Sequence, residues 1–157
     1  MKFVVQDLQE NVEKGREEAE RAQSPSVFAR LSFQTHDFMQ AQPIKGADAY
    51  LLRTILHDWP DEKAKLILSN IAAAMDLEKS RLFIMETVLP VPGAVPVSQE
   101  RDLRAKDLTM IQCLNSRERE QSEWQELIAS VQPRLELVEV RQPVGSAMAV
   151  LELRLAI

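Results

Sequence analysis

The stretch from Ala47 to Leu89 constrains the fold of this chain most, because it contains a strand, a helix and a second strand in succession. Apolar residues dominate Ala47 to Leu52, which predicts a buried strand. From Asp61 to Met75 the apolar residues recur every three or four positions, as in an amphipathic helix that packs on a sheet. Arg81 to Leu89 is apolar almost throughout, which is typical of a strand covered on both faces. This order predicts an α/β fold with parallel strands.

Similar patterns extend this unit on both sides. Short apolar or alternating runs predict four more strands: Phe3 to Asp7, Leu31 to His36, Leu135 to Arg141, and Ala147 to Leu155. Polar and apolar spacing predicts three more helices: Asn11 to Ala22, Gln99 to Leu114, and one that begins at Ser122 with Gln125 completing a capping box. The last two strands form a predicted hairpin, so the sheet is mainly parallel with a C-terminal antiparallel hairpin.

Composition narrows the classes of function. The 157 residues suffice for one domain with a sizeable core, and the net charge of −5 argues against nucleic acid, which requires a basic face. The single Cys113 cannot form an internal disulfide. There is no signal-peptide pattern and no apolar run long enough for a membrane helix. We therefore expect a cytoplasmic protein without membrane contact.

Four polar residues follow predicted strands closely, and α/β sheets bind ligands at the carboxyl ends of their strands. They are Asp7, Asp37, His57 and Glu86. Asp7 could accept hydrogen bonds from ribose hydroxyls or cap the helix that follows, and the sequence leaves both alternatives open. His57 is one of two histidines, but such a residue before a helix is most often simply polar, and Glu86 could be an ordinary strand-end acid.

A set of motifs resembles one enzyme family. The residues that carry the resemblance are Phe3 to Leu8, His36 to Phe38, Leu52 to Glu62, Glu86 with the Thr-Val-Leu-Pro that follows it, Arg101 to Met110, and Ser116 to Arg119. In order and separation they are similar to the plant and fungal S-adenosylmethionine-dependent O-methyltransferases of the caffeic-acid type. The version in this chain is most similar to fungal enzymes that act on polyketides or other phenolic metabolites.

The resemblance implies a catalytic set. His57 would be the general base that removes the proton of a phenolic or enolic hydroxyl. Glu86 and Glu118 would flank its ring, one of them fixing the tautomer and raising its basicity. Taken alone, Glu118 within Arg-Glu-Arg-Glu would be a solvated residue. No metal is expected, because two histidines and one cysteine give no ligand cluster.

The resemblance also implies an S-adenosylmethionine site. Asp7 would hold the ribose hydroxyls, and Asp37 with Phe38 would hold the adenine. Arg53 falls where the family often has a lysine near the methionine moiety, and it keeps the charge with a different geometry. A small phenolic molecule would be the substrate.

Two parts of the family pattern do not occur: an N-terminal helical dimerisation domain, and a first strand followed by a Gly-rich loop. None of the four glycines stands in a G-x-G pattern after a strand. We therefore expect residues 1–157 to form a partial, truncated Rossmann-like methyltransferase domain. Its first strand would be missing between the strands that begin at Phe3 and Ala47, which leaves either unpaired edges or direct pairing of those strands.

The missing loop predicts weak binding of S-adenosylmethionine, and three explanations of the short chain stay open. It could be a truncated gene product. It could be a short relative without methyl transfer, serving as an accessory or binding protein or as an acid/base cyclisation catalyst. A homodimer or a partner chain could also complete the sheet.

Overall fold

The strand–helix–strand unit predicted between Ala47 and Leu89 is present, and its two strands pair in parallel. The computed structural model describes residues 1–156. The strands are β1 (Phe3–Asp7), β2 (Leu31–Thr35), β3 (Ala49–Arg53), β4 (Arg81–Leu89), β5 (Arg119–Glu120), β6 (Leu135–Arg141) and β7 (Met148–Leu155). The helices are α1 (Gln9–Ala22), α2 (Pro25–Phe28), α3 (Asp61–Ala72), α4 (Val97–Leu114) and α5 (Gln121–Ala129), with one 3₁₀ turn at Leu56–Asp58.

The larger sheet has the strand order β3-β4-β7-β6, and β5 pairs with the end of β4. β3 and β5 run parallel to β4, whereas β7 runs antiparallel to both β4 and β6. β1 and β2 form a separate parallel pair. The predicted α/β fold, with parallel strands and a C-terminal antiparallel hairpin, is therefore confirmed.

The edges of β1 and β3 are unpaired with each other, since within residues 1–156 no ladder joins the two sheets. Of the two outcomes expected for these strands, direct pairing is therefore wrong. β1 also exposes Phe3, Val4 and Val5, and Leu51 of β3 is exposed. Unpaired edges with apolar side chains are a surface to which another strand can add.

The core lies between α3, α5 and the larger sheet. Four of its side chains are fully buried: Ile67 and Leu68 of α3, and Leu82 and Ile84 of β4. Each such buried side chain stabilises the folded state by about 1.5–3 kcal/mol. α3 is three residues shorter than predicted. The prediction extended the helix to Met75 because Met75 continues the apolar spacing. Met75 is indeed buried in the core, but it lies in the turn after α3.

Three helix starts differ from the prediction: α4 begins at Val97 instead of Gln99, and α1 and α5 differ for local reasons. α1 begins at Gln9 instead of Asn11, since the Asp7 carboxylate accepts the Leu8 N–H at 2.7 Å and supports the first turn. The capping box of α5 is formed by Glu120 and Glu123, with the Glu120 N–H donating to the Glu123 carboxylate at 2.8 Å. The box predicted at Ser122 and Gln125 is wrong. Among residues 1–156, each helix is too short or too polar to cross a bilayer.

Candidate active site

His57 lies in the turn that follows β3. Thr54 has a φ of 51°, which is uncommon and strained for a β-branched residue, and the chain then makes the 3₁₀ turn at Leu56–Asp58. Leu56 is fully buried and anchors this turn in the core. The His57 side chain keeps 18% of its surface exposed, so the ring is accessible but held in place.

Glu86 holds the backbone of the His57 turn. It lies inside β4, not at the strand end as expected, and it is fully buried. Its Oε1 accepts the backbone N–H groups of Ile55 and Leu56, each at 2.8 Å. Its Oε2 lies 3.9 Å from His57 Nδ1 and has no hydrogen-bond partner within residues 1–156. Burial raises the pKa of Glu86, and the nearby His57 and the two backbone donors offset this only in part.

Glu118 is the direct partner of the His57 ring. Its Oε1 lies 3.0 Å from Nδ1, and the carboxylate is buried, so the solvated alternative for Glu118 is wrong. The Glu118 backbone N–H donates to Asp107 Oδ1 at 3.0 Å, which fixes the segment before β5. The hydrogen bond to Glu118 raises the pKa of His57 above 6.5 against the opposing effect of burial. The charges of Glu86, Glu118 and Asp58 add to this rise in the His57 pKa.

The second ring nitrogen of His57 lies next to a residue that the sequence did not single out. Nε2 is 3.4 Å from Asp58 Oδ1, and the Asp58 side chain is 44% exposed. When Nδ1 donates to the Glu118 carboxylate, the neutral ring carries its lone pair on Nε2. Nε2 is therefore the atom that can accept a proton from a bound molecule. Asp58 belongs to the motif from Leu52 to Glu62, but nothing in the sequence assigned it a role.

Asp7 and Asp37, predicted to bind the ribose and the adenine, both lie at the carboxyl ends of the β1–β2 pair. The Asp7 carbonyl accepts the His36 N–H at 2.9 Å, which places Asp7 and the loop containing Asp37 at the same carboxyl end of β1 and β2. Asp7 Oδ1 accepts the Leu8 N–H at 2.7 Å and the Asn11 side-chain amide at 2.9 Å, so Asp7 supports the start of α1 from the position before its N-cap, Leu8, and makes no side-chain cap itself. Both aspartates remain exposed.

Phe38 and Arg53 differ in their surroundings. The Phe38 ring meets the Trp59 ring edge-on at a centroid distance of 5.8 Å, which places it beside the turn of His57. The Phe38 carbonyl accepts the Asn70 amide at 3.0 Å. Arg53 is exposed at the end of β3. The structure thus brings His57, Glu86 and Glu118 together. Of the predicted cofactor residues, Asp7 and Arg53 end β1 and β3, and Asp37 and Phe38 lie in the loop after β2.

The same three catalytic candidates could also hold a metal ion. His57, Glu86 and Glu118 each offer one possible ligand atom, and these atoms lie within 4.8 Å of one another. The expectation that the chain contains no ligand cluster is wrong in this geometric sense, because it counted only histidine and cysteine. That the reaction needs no metal stays a prediction.

Comparison with known proteins gives consistent matches. Residues 1–131 match the family described as an O-methyltransferase domain. The O-methyltransferase pgmB of Aspergillus terreus is 59% identical over 156 residues, which are 99% of this chain and 44% of pgmB. The solved structure of LepI in complex with SAM matches with a TM-score of 0.83 at 31% identity, and the match covers 99% of this chain and 36% of the LepI chain.

A solved pericyclic reaction enzyme also matches, with a TM-score of 0.82, 31% identity and the same coverage of 99% and 36%. The chain therefore spans less than half the length of the relatives it matches.

Proposed function

Because the chain belongs to the O-methyltransferase domain family, we propose that it acts in S-adenosylmethionine-dependent methylation of a hydroxyl group. The acceptor is a phenolic or enolic hydroxyl of a small secondary metabolite, such as a fungal polyketide. His57 is the general base of this reaction. The observation that carries the proposal is the hydrogen bond of 3.0 Å between His57 Nδ1 and the buried Glu118, which leaves Nε2 to accept the substrate proton.

The two glutamates have different tasks in this mechanism. A phenol has a pKa near ~10 and a free histidine one near ~6.5, so the proton transfer is uphill by about 5 kcal/mol. Glu118 narrows this gap because its carboxylate stabilises the imidazolium that forms. Glu86 acts mainly through the backbone, since Oε1 shapes the turn that presents the ring.

The cofactor-binding residues follow the same proposal. Asp7 and Asp37 present exposed carboxylates at one edge, and carboxylate oxygens suit ribose hydroxyls and the adenine amino group. Asp7 would hold the ribose, Asp37 and Phe38 would hold the adenine, and Arg53 would contact the methionine moiety. S-adenosylmethionine supplies the methyl group and a sulfonium charge that favours a nearby phenolate. Without a Gly-rich loop after a strand, residues 1–157 bind it weakly.

The test is methyl incorporation from labelled S-adenosylmethionine into a panel of candidate phenols. We expect His57→Ala to abolish incorporation and His36→Gln, which changes the other histidine, to retain it. Incorporation that survives His57→Ala would refute the general-base role. Calorimetric titration with S-adenosylmethionine tests the cofactor separately, and tight binding would contradict the expected weakness.

A second candidate is an acid/base cyclisation catalyst or accessory protein without methyl transfer. The similarity to a pericyclic reaction enzyme, at 31% identity over 99% of this chain, favours it. In this case His57 exchanges a proton with a polyketide-like substrate during ring closure. Conversion of such a substrate that needs His57, with no methyl incorporation, would distinguish this candidate from the first.

We further propose that residues 1–157 act as part of a caffeic-acid-type catalytic domain in the cytoplasm. The unpaired edges of β1 and β3 favour a homodimer or a partner chain that completes the sheet. Light scattering of the purified chain tests this, and a monomer at all concentrations would contradict the homodimer.

A further inference from the structure

Arg119 follows Glu118 directly and has a side chain that is only 1% exposed, which is rare for an arginine. Its Nε and Nη2 donate to Asp61 Oδ1 at 3.0 and 2.8 Å. Its Nη1 donates to the Leu56 carbonyl and its Nη2 to the Trp59 carbonyl, each at 2.9 Å. One guanidinium thus joins a carboxylate at the start of α3 to two backbone carbonyls.

These two carbonyls lie on either side of His57 in the chain. Leu56 precedes His57, Trp59 follows two positions later, and the Leu56 carbonyl also accepts the Trp59 N–H at 3.2 Å, which closes the turn. The adjacent pair Glu118-Arg119 therefore contacts the same turn twice. Glu118 accepts the hydrogen bond of the ring, and Arg119 donates to the backbone that carries the ring.

We propose that Arg119 is a positioning residue that keeps the His57 ring at hydrogen-bond distance from Glu118. The catalytic part of this inference rests on the proposed role of His57 as a base. The planar guanidinium suits the task because it makes four hydrogen bonds to three acceptors from three nitrogens held in one plane, whereas an ammonium has three donors on a single rotating nitrogen. Its central carbon lies 5.2 Å from the centroid of the buried Trp124 ring, so the aromatic face restricts its orientation.

Three possible roles of Arg119 give different results for the pKa of His57. If Arg119 positions the ring, Arg119→Lys keeps the positive charge but weakens the bond to Glu118, and the pKa of His57 falls. If Arg119 acts only as a nearby positive charge, this variant leaves the pKa unchanged. If Arg119 only packs the interior, stability falls and the pKa of the folded protein again stays the same.

The experiment is an NMR titration of the histidine ring protons in the full 157-residue chain, with His36 as an internal reference. The matched control is Arg117→Lys. Arg117 binds the same Asp61, at 2.7 Å through Oδ2, and also Glu123 at 2.7 Å, but neither of the two carbonyls. We expect the pKa of His57 to fall in Arg119→Lys and to stay near the wild-type value in Arg117→Lys. Equal pKa values of His57 in wild type and Arg119→Lys would overturn the proposal.

A second pair of variants serves if Arg119→Lys does not fold. Asp61→Asn weakens the hold on Arg119, and Glu62→Gln removes one carboxylate from the same helical turn without touching Arg119. The pKa of His57 should fall more in Asp61→Asn than in Glu62→Gln. An equal fall of this pKa in the two variants would overturn the proposal. In the methyl-transfer assay, Arg119→Lys should lower kcat about tenfold or more with little change in KM. If no variant transfers methyl groups, the proposed function fails while the titration still tests Arg119.

Discussion

Replacing Glu86 should separate its structural task from its charge. Glu86→Ala removes the acceptor of the Ile55 and Leu56 N–H groups, both at 2.8 Å. A buried donor left without a partner costs about 1–3 kcal/mol, and the Ile55 amide is only partly buried. We therefore expect Glu86→Ala to lower the free energy of unfolding by about 2–4 kcal/mol. Glu86→Gln keeps an amide oxygen at the same place and should lower it by less than about 1 kcal/mol.

The pH dependence of stability gives the same pair of variants a second readout. Burial raises the pKa of Glu86 in the folded protein above its ordinary value. The contribution of Glu86 to stability is thus full below about pH 4.5, the ordinary pKa, and is lost as the pH rises through the raised pKa. Relative to Glu86→Gln, the wild type should therefore lose stability over this range.

Urea unfolding of the wild type and both variants at several pH values measures these differences. Equal stabilities of Glu86→Ala and Glu86→Gln would refute the claim that Oε1 supports the turn. A constant difference between wild type and Glu86→Gln across pH would refute the assignment of a raised pKa.

Two other changes test the turn and the ring. Glu118→Gln replaces the charged acceptor of the His57 ring with a neutral one, which weakens this hydrogen bond by about 1–1.5 kcal/mol. The pKa of His57 should therefore fall in an NMR titration, and methyl transfer should slow about tenfold in the transfer assay. An unchanged pKa of His57 would contradict the pairing of His57 with Glu118. Thr54→Gly relieves the strain of the left-handed backbone at this position and should raise the free energy of unfolding by about 0.5–1 kcal/mol. The control Thr35→Gly, at the end of β2, should lower the free energy of unfolding. A lower free energy of unfolding in both variants would argue against strain at Thr54.

Most of the fold followed from local patterns, because strand boundaries coincide with changes in polarity. The predicted bounds of β1, β4 and β6 match the structure, and each of these strands ends where an apolar or alternating run meets polar or turn residues. The start of α5 was harder to place. Two candidate capping boxes lie two residues apart there, and the pairing of β5 with β4 decides that Glu120 precedes the helix.

The site was predictable only in part. The place of His57 after a strand indicated a candidate site residue, but Glu118 lies 61 positions further along, in a run of charged residues typical of a solvated surface. Only the family resemblance singled it out. Arg119 lies in the same motif but received no role from it, because the burial that gives it meaning depends on β5 reaching the end of β4. Charged residues in a polar stretch look alike until the tertiary structure buries some of them.

The adjacency of Glu118 and Arg119 limits how this segment can vary in length. Glu118 and Arg119 both contact the histidine turn, so inserting or deleting one residue at this pair would move at least one of the two contacts out of reach. Between the left-handed Asn115 and this pair lie Ser116, which is buried, and Arg117, which binds Asp61 and Glu123. The segment from Ser116 to Arg119 should therefore keep its length among relatives, and the glutamate–arginine pair should be inherited as a single unit.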